Sequence, residues 1–516
     1  MSNNKNKDIN PLTISTTIIK TITFKGWEII LTEIEISITP GIPIISIVGL
    51  PNKTVNEAKE RIRCALSHMG IGLPIGRIII NLSPGDLIKE GTHYDLGILC
   101  GLLIHMKLLH INNIAEFLFF GEMQLNGDIL STYGSLPVGI FAYKNNYKLI
   151  SSSHSYQELG GLYEHKDNIL LFANILNIIL YFNNGDHERA TGITEMAITK
   201  EKPPEDGYFL LSPLTKRLIE IAIVGGHNVL LLGPPGGGKT TLAKVMPSLL
   251  PELTRNESLE VSSIYSMCGL LNQQLITTPP FRCPHSSTSM YGLLGGGSKP
   301  KPGEVSLSHK GLLFLDEINQ FAPHILDSLR ECLTEDVVRV SRVNYQISYP
   351  AEIQLIAAMN PCKCGFLGSK HQLCTCSNKV LENYRQKISG PFLDRIAIKF
   401  FLEDPSYEKV THQKEWIENT RNKIIHSRHY IKDIYKKIST THKISRIPFH
   451  FLEENTPIAP KASALLRKYC ENKKLSLRNY HNIFRLSTTI SILNNRPIIQ
   501  EEDISEGIFF SNNVNY

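Results

Sequence analysis

At 516 residues, 42% hydrophobic and 20% charged, the chain has the composition of a folded protein of roughly two to four domains and not of a disordered or fibrous one. No apolar run reaches the roughly 18–20 residues of a membrane span, and Met1–Asp8 lacks the apolar stretch of a secretory signal, so a cytoplasmic protein without membrane contact is expected. The net charge of +6 is unevenly placed: Lys409–Arg485 holds 17 Lys and Arg against 6 Asp and Glu, an excess of +11 that points either to a polyanionic partner or to a solvated basic helix face.

Taken in order, residues 18–182 read as one domain. Trp27–Ile38 and Ile42–Val48 alternate or run apolar as strands do. Asn52–Met69 sets Val55, Ala58, Ile62, Ala65, Leu66 and Met69 at helical spacing, Arg77–Leu82 is a further strand, and Tyr94–Leu108 a buried helix. Phe117–Gly121, Gly134–Tyr143 and Leu149–Ser151 continue the alternation, which predicts an α/β or α+β domain around a single core. Residues 183–206 are polar, include Lys200–Pro204 (KEKPP), and read as a linker.

Residues 207–405 carry the chemistry. The apolar run Val229–Leu232 leads into Gly233-Pro234-Pro235-Gly236-Gly237-Gly238-Lys239-Thr240, and Thr241–Leu250 is compatible with a helix. Strand, glycine-rich loop and helix in that order make a P-loop. The glycines let backbone N–H groups close around phosphate oxygens, and the helix start adds its positive dipole end. Lys239 reaches the outer phosphates and Thr240 offers a hydroxyl to Mg²⁺, so Gly233–Thr241 is expected to bind ATP with Mg²⁺. Downstream, Gly311–Glu317 (GLLFLDE) is an apolar strand ending in two carboxylates: Asp316 is expected to hold Mg²⁺ and Glu317 to polarise the attacking water. Ile353–Met359 is a further strand, ending in Asn360.

Two features follow. Cys362-Lys363-Cys364 and Cys374-Thr375-Cys376 offer four thiolates, with His371 as a substitute ligand, so either a tetrahedral Zn²⁺ site or an unmetallated reduced loop is expected; the other cysteines are too scattered for a disulfide framework. Arg339–Pro350 alternates as a hairpin would. Glu408–Ile447 is a basic helical stretch and Ala459–Phe510 a helical one, together the C-terminal region 406–516.

These motifs resemble the YifB/ComM family of magnesium-chelatase-like AAA+ ATPases from about Ile18 to Phe510. The resemblance rests on Gly49–Arg63 (GLPNKTVNEAKERIR), Asn81–Gly91, Gly121–Leu130, Phe281–His285 (FRCPH), Leu294–Gly297 and Pro302–Leu307. One departure is Ser286, where the family usually repeats histidine. The family implies three parts: a Lon-protease-like α/β domain (S5-like fold), an AAA+ core of αβα type, and a C-terminal helical lid. In Lon-type proteases a serine follows a K-D-G-P motif and a lysine a later G-G-L. Here His93 and Pro137 stand at those positions, so neither nucleophile nor base is present and a protease fold serving as an interaction or assembly module is expected. The resemblance gives Asn360 the sensor-1 role, Arg395 of Ser389–Ile396 (SGPFLDRI) the arginine finger of a neighbouring subunit, and Arg478 the sensor-2 role, followed by Arg485. It places Arg339, Arg342 and Tyr345 of the hairpin toward a central pore, suited to phosphate contact and base stacking. It implies a homo-hexameric motor on single-stranded or branched DNA that promotes branch migration in recombination or natural transformation. The alternatives are a chelatase-like ATPase remodelling a protein partner and an ATP-dependent protease; His93 and Pro137 oppose the second.

Overall fold

The computed structural model describes residues 16–193, 212–272, 275–297, 300–342, 345–369, 372–402, 413–435 and 443–512. The expectations for Lys200–Pro204 and His371, and those for the side chains of Arg342 and Tyr345, lie outside the described residues. The chain forms two units: residues 1–198 with 262–275, and residues 199–261 with 276–516. Residues 262–275 join the first unit although they follow the P-loop in sequence; Ser266 accepts from the Gly134 amide at 3.1 Å and its hydroxyl donates to Glu158 at 2.7 Å.

The first unit is built on a seven-stranded mixed sheet. Its strands are β1 (Thr17–Lys25), β2 (Glu28–Thr39), β3 (Ile45–Val48), β4 (Arg77–Ser83), β5 (Phe117–Phe120), β6 (Lys148–Ser152) and β7 (Ile169–Phe172), in the order β3-β4-β2-β1-β5-β6-β7. Helix α1 (Lys53–His68) starts where the Asn52 side chain accepts the Val55 amide, and it buries Val55, Ala58, Ile62, Ala65 and Leu66, the stripe its spacing predicts. Helix α2 (Tyr94–His105) is buried along most of its length. Gly97 and Gly101 let it lie on the sheet, since a Cβ there would meet Ile34 at 2.8 Å and Ile36 at 2.6 Å. Gly134–Tyr143 resolves as helix α3 (Ser135–Lys144), with Pro137 buried in its first turn, where a missing N–H costs nothing.

His93 sits inside this core. It is 4% exposed, stacks on Phe120 with centroids 4.9 Å apart, and its Nε2 meets the Ile22 carbonyl at 2.9 Å. Burial pushes its pKa down to about 4 against the pull of that carbonyl, so the fold holds it neutral.

The second unit opens with α4 (Pro213–Gly225), capped by Ser212 on the Thr215 amide. Its sheet has five strands, β8 (Val229–Leu232), β9 (Phe281–Arg282), β10 (Leu312–Leu315), β11 (Gln354–Met359) and β12 (Ile398–Phe401), all parallel, in the order β9-β10-β11-β8-β12. Alternation divides each strand between two cores: Leu312, Phe314, Ile356 and Ala358 face one, Leu313, Leu315, Leu355 and Ala357 the other. The first core also takes Ile424, Leu466, Phe484, Ile490 and Phe510 from the C-terminal helices, so these helices share the hydrophobic core of the sheet. Each such side chain contributes about 1.5–3 kcal/mol on burial. The hairpin read at Arg339–Pro350 is present as Val337–Arg342 paired antiparallel with Tyr345–Pro350. No helix of the described residues is long and apolar enough to cross a membrane.

Candidate active site

Strand register assembles the site. Leu232 pairs with Met359, and Leu315 with Ala357, so the chain leaves β8, β10 and β11 at one edge of the sheet. Gly233, Asp316 and Asn360 therefore emerge at the carboxyl ends of neighbouring parallel strands, where open α/β sheets bind ligands.

The loop glycines act for different reasons. Gly236 and Gly238 adopt φ of +79° and +81° with open space around them, so backbone conformation demands glycine there. Gly233 is needed for room, because a Cβ would lie 2.7 Å from the Leu402 carbonyl oxygen. After Gly238 the chain turns into α5 (Lys239–Leu249), whose unsatisfied first amides face the loop.

Lys239 is 8% exposed and its ammonium donates to the Gly233 carbonyl at 2.7 Å, the Pro234 carbonyl at 2.8 Å and Asn360 Oδ1 at 3.1 Å. Burial lowers its pKa, while Asp316 and Glu317 act to keep it charged. Thr240 Oγ1 donates to Asp316 Oδ2 at 2.7 Å, and the other Asp316 oxygen accepts the Glu317 amide at 3.0 Å. Glu317 has φ of +48°, a strained conformation for a residue with a side chain and one that collects at functional sites. Sequence reasoning missed two supporting groups: Gln320, whose amide donates to the Glu317 carboxylate, and Tyr384, whose hydroxyl donates to the Asn360 carbonyl at 3.1 Å. Gln320 stands three residues after Glu317 and is legible with hindsight; Tyr384 carries no local signal. Pro235 and Gly237 complete the loop, and Thr241 is exposed on the first turn of the helix.

The structure therefore gathers Lys239, Thr240, Asp316, Glu317 and Asn360, and gathers the arginines elsewhere. Arg395 Nε donates to Thr334 Oγ1 at 3.2 Å and Nη1 to the Pro391 carbonyl at 3.1 Å, not to the adjacent Asp394. Its segment is pinned on two sides, by Ser389 on Asp327 at 3.0 Å and by Asn482 on the Asp394 carbonyl at 3.1 Å. Burial, then the charges of Arg478 and Arg330, lower its pKa, so these three arginines are electrostatic neighbours. Arg330 was not read as a site residue from the sequence.

The basic excess of the C-terminal region is partly internal. Lys443 pairs with Glu352 at 3.2 Å, Arg446 holds Asp336 and the Ile353 carbonyl, and Arg428 and Arg485 each donate to a backbone carbonyl at 3.1 Å. On the hairpin, Arg339 is paired with Glu335 and, at 3.5 Å, with Glu331.

The cysteines converge. The sulfurs of Cys362, Cys364, Cys374 and Cys376 all lie within 4.8 Å of one another, all as free thiols. Cys374 Sγ is 3.7 Å from Cys362 and 3.6 Å from Cys364, near the roughly 3.8 Å edge of a tetrahedron with arms of about 2.3 Å, the zinc–sulfur distance, whereas Cys362 and Cys364 are closer, at 3.2 Å. The Leu367 amide points at Cys362 Sγ at 3.4 Å and the Cys376 amide at Cys374 Sγ at 3.5 Å, the outer-shell bonds that stabilise thiolates.

Comparison with known proteins agrees with this geometry. Residues 212–410 match the family described as magnesium chelatase, subunit ChlI, residues 34–154 match subunit ChlI of Mg-chelatase, and residues 415–510 match the ChlI C-terminal family. The chain is 35% identical over 495 residues to the competence protein ComM of Haemophilus influenzae, covering 94% of this chain and 95% of that protein. It is 37% identical over 373 residues to the uncharacterized protein YifB of Escherichia coli, covering 72% and 73%. A shorter match, 30% identical over 154 residues, covers 27% of this chain and 43% of the magnesium-chelatase 38 kDa subunit of Rhodobacter capsulatus. With similarity over nearly the whole length and a P-loop facing an Asp-Glu strand end, the chain belongs to the YifB/ComM family of magnesium-chelatase-like AAA+ ATPases.

Proposed function

We propose that the protein hydrolyses ATP and works as a hexameric motor on DNA, promoting branch migration in recombination or natural transformation. The observation that carries the ATPase reading is the grouping of Lys239, Thr240, Asp316, Glu317 and Asn360 at one sheet edge. Backbone amides of Gly236–Thr240 cradle the phosphates, and Lys239 exchanges its two carbonyl partners for phosphate oxygens. Thr240 and Asp316 would hold Mg²⁺, which supplies positive charge between the outer phosphates. Glu317, steadied by Gln320, orients the attacking water, Asn360 polarises it, and Arg395 of a neighbouring copy neutralises charge on the transferring group.

The DNA reading rests on the basic C-terminal region, the hairpin, and the name competence protein borne by the relative from Haemophilus influenzae. ATPase rate measured with and without single-stranded and branched DNA, at several salt concentrations, tests it. One observation favours a second reading, remodelling of a protein partner: Arg339 is paired with Glu335, so a phosphate would have to displace that carboxylate.

The first unit reads as a Lon-like fold without protease chemistry. The buried neutral His93 cannot act as a nucleophile toward a peptide, and Pro137 offers no base. The four cysteines read as a structural zinc site, their spacing fitting a tetrahedral ion. The C-terminal helices read as the lid of the ATPase, and the protein as cytoplasmic.

A further inference from the structure

Arg395 is positioned by α6 (Pro323–Glu335), the helix that follows the Asp-Glu strand end. Its Nε partner, the Thr334 hydroxyl, donates at 3.1 Å to the carbonyl of Arg330, one turn earlier on the same helix. From the other side comes Arg478, at the start of α7 (Leu477–Leu493), a helix tied to the Arg395 segment by Asn482. Three elements distant in sequence thus deliver three guanidinium groups to one patch, with Asp394 the carboxylate that acts on Arg395.

Two other arginines of this unit are held by carboxylates: Arg217 by Glu506 at 2.7 Å and Arg282 by Glu304 at 2.6 Å. The guanidinium groups of Arg330 and Arg478 have no hydrogen-bond or ion-pair partner among the described residues. Arg330 is nevertheless half-buried on its helix. Like charges brought to one patch repel one another, Asp394 and Asp327 are the carboxylates beside them, and a multiply charged anion would offset the repulsion. A terminal phosphate fits, having several oxygens on one centre and a geometry that guanidinium groups bind two bonds at a time.

We propose that Arg330, Arg395 and Arg478 form one anion seat that receives the outer phosphates of the nucleotide held by a neighbouring copy, with Arg330 as a further catalytic residue. The proposal rests on the reading of Arg395 as acting across the subunit boundary, and adds a residue on a different helix. Thr334, which holds Arg395, lies one turn from Arg330 on the same helix, so both arginines lie at one face of α6.

The test uses the full chain. Arg330→Ala is expected to lower kcat about 10²-fold, the scale of losing one charge-stabilising donor, with Arg330→Lys retaining part of the activity. In a Glu317→Gln background, ATP-dependent assembly followed by light scattering should move to higher protein concentration with Arg330→Ala, while a fluorescent ATP analogue still binds the dilute chain. Mixing Arg330→Ala with Lys239→Ala should restore ATPase activity, as should mixing Arg395→Ala with Lys239→Ala. Hydrolysis by Arg330→Ala within twofold of the unaltered protein overturns the proposal. Rescue in the Arg395 mixture alone also overturns it, leaving the shared-site reading intact; rescue in neither, with mixed assemblies verified, removes both. Should Arg330→Ala lose its thermal unfolding transition, Arg330→Lys and Arg330→Gln carry the same comparisons.

Discussion

Thr240 and Asp316, 76 residues apart, share a hydrogen bond of 2.7 Å between the hydroxyl and one carboxylate oxygen. These are the two oxygens expected to face the same Mg²⁺. The bond exists because β8 and β10 both flank β11 and all three run in parallel, so that the P-loop helix and the Asp-Glu strand end meet over one edge.

That arrangement predicts a shift in metal demand. Thr240→Val keeps the shape of the side chain and removes the hydroxyl, so ATPase activity should need several-fold more Mg²⁺ for half-maximal rate. Asp316→Asn should do the same more severely, since a charge is lost. A Mg²⁺ titration identical to that of the unaltered protein in both variants would remove the two residues from the metal site.

Lys239→Ala should abolish productive nucleotide binding, whereas Glu317→Gln should bind ATP and hydrolyse it at least about 10²-fold more slowly, as loss of a positioned general base does. Equilibrium binding of a fluorescent ATP analogue beside steady-state hydrolysis separates the two effects.

The cysteine cluster should carry about one zinc per chain when the protein is purified without chelator, as four thiolates at tetrahedral spacing do. Elemental analysis reads the content, and Cys362→Ser should lower it together with the thermal stability. A content near zero would mark the loop as unmetallated.

On DNA, affinity should fall steeply with salt, because each neutralised phosphate releases counterions. Arg339→Glu tests the hairpin: weaker binding with an unchanged ATP site supports a pore contact, whereas unchanged binding shows that the pairing with Glu335 is its role.

Stability should decline on mild acidification. Burial lowers the pKa of His93 to about 4, and burial together with Arg485 lowers that of His227 to about 3. Both folded values lie below the ordinary histidine value, so the unfolded chain takes up protons first. Stability is full above pH of about 6.5 and is lost as pH falls toward those folded values, by about 2 kcal/mol per histidine at pH 5. Urea unfolding at pH 7.5 and pH 5 measures this, and His93→Phe should flatten the pH dependence of the first unit.

The sequence determined what depends on short spacing. Gly236 and Gly238 before Lys239 specify the loop and helix start, because the required φ and the first-turn amides are local properties. The buried stripe of α1 and the Asp-Glu end of β10 are legible for the same reason. Tertiary structure decided the rest. Asn360 reaches Lys239 only through strand register, the cysteine sulfurs meet only because a loop returns, and Arg395 reaches the helix of Arg330 only through the Thr334 hydroxyl. The basic excess read along the chain was a sum over residues, whereas the fold turns Lys443, Arg446, Arg428 and Arg485 inward onto carboxylates and carbonyls. Charge composition is additive in sequence, but desolvation and pairing depend on distances that only the packed chain sets.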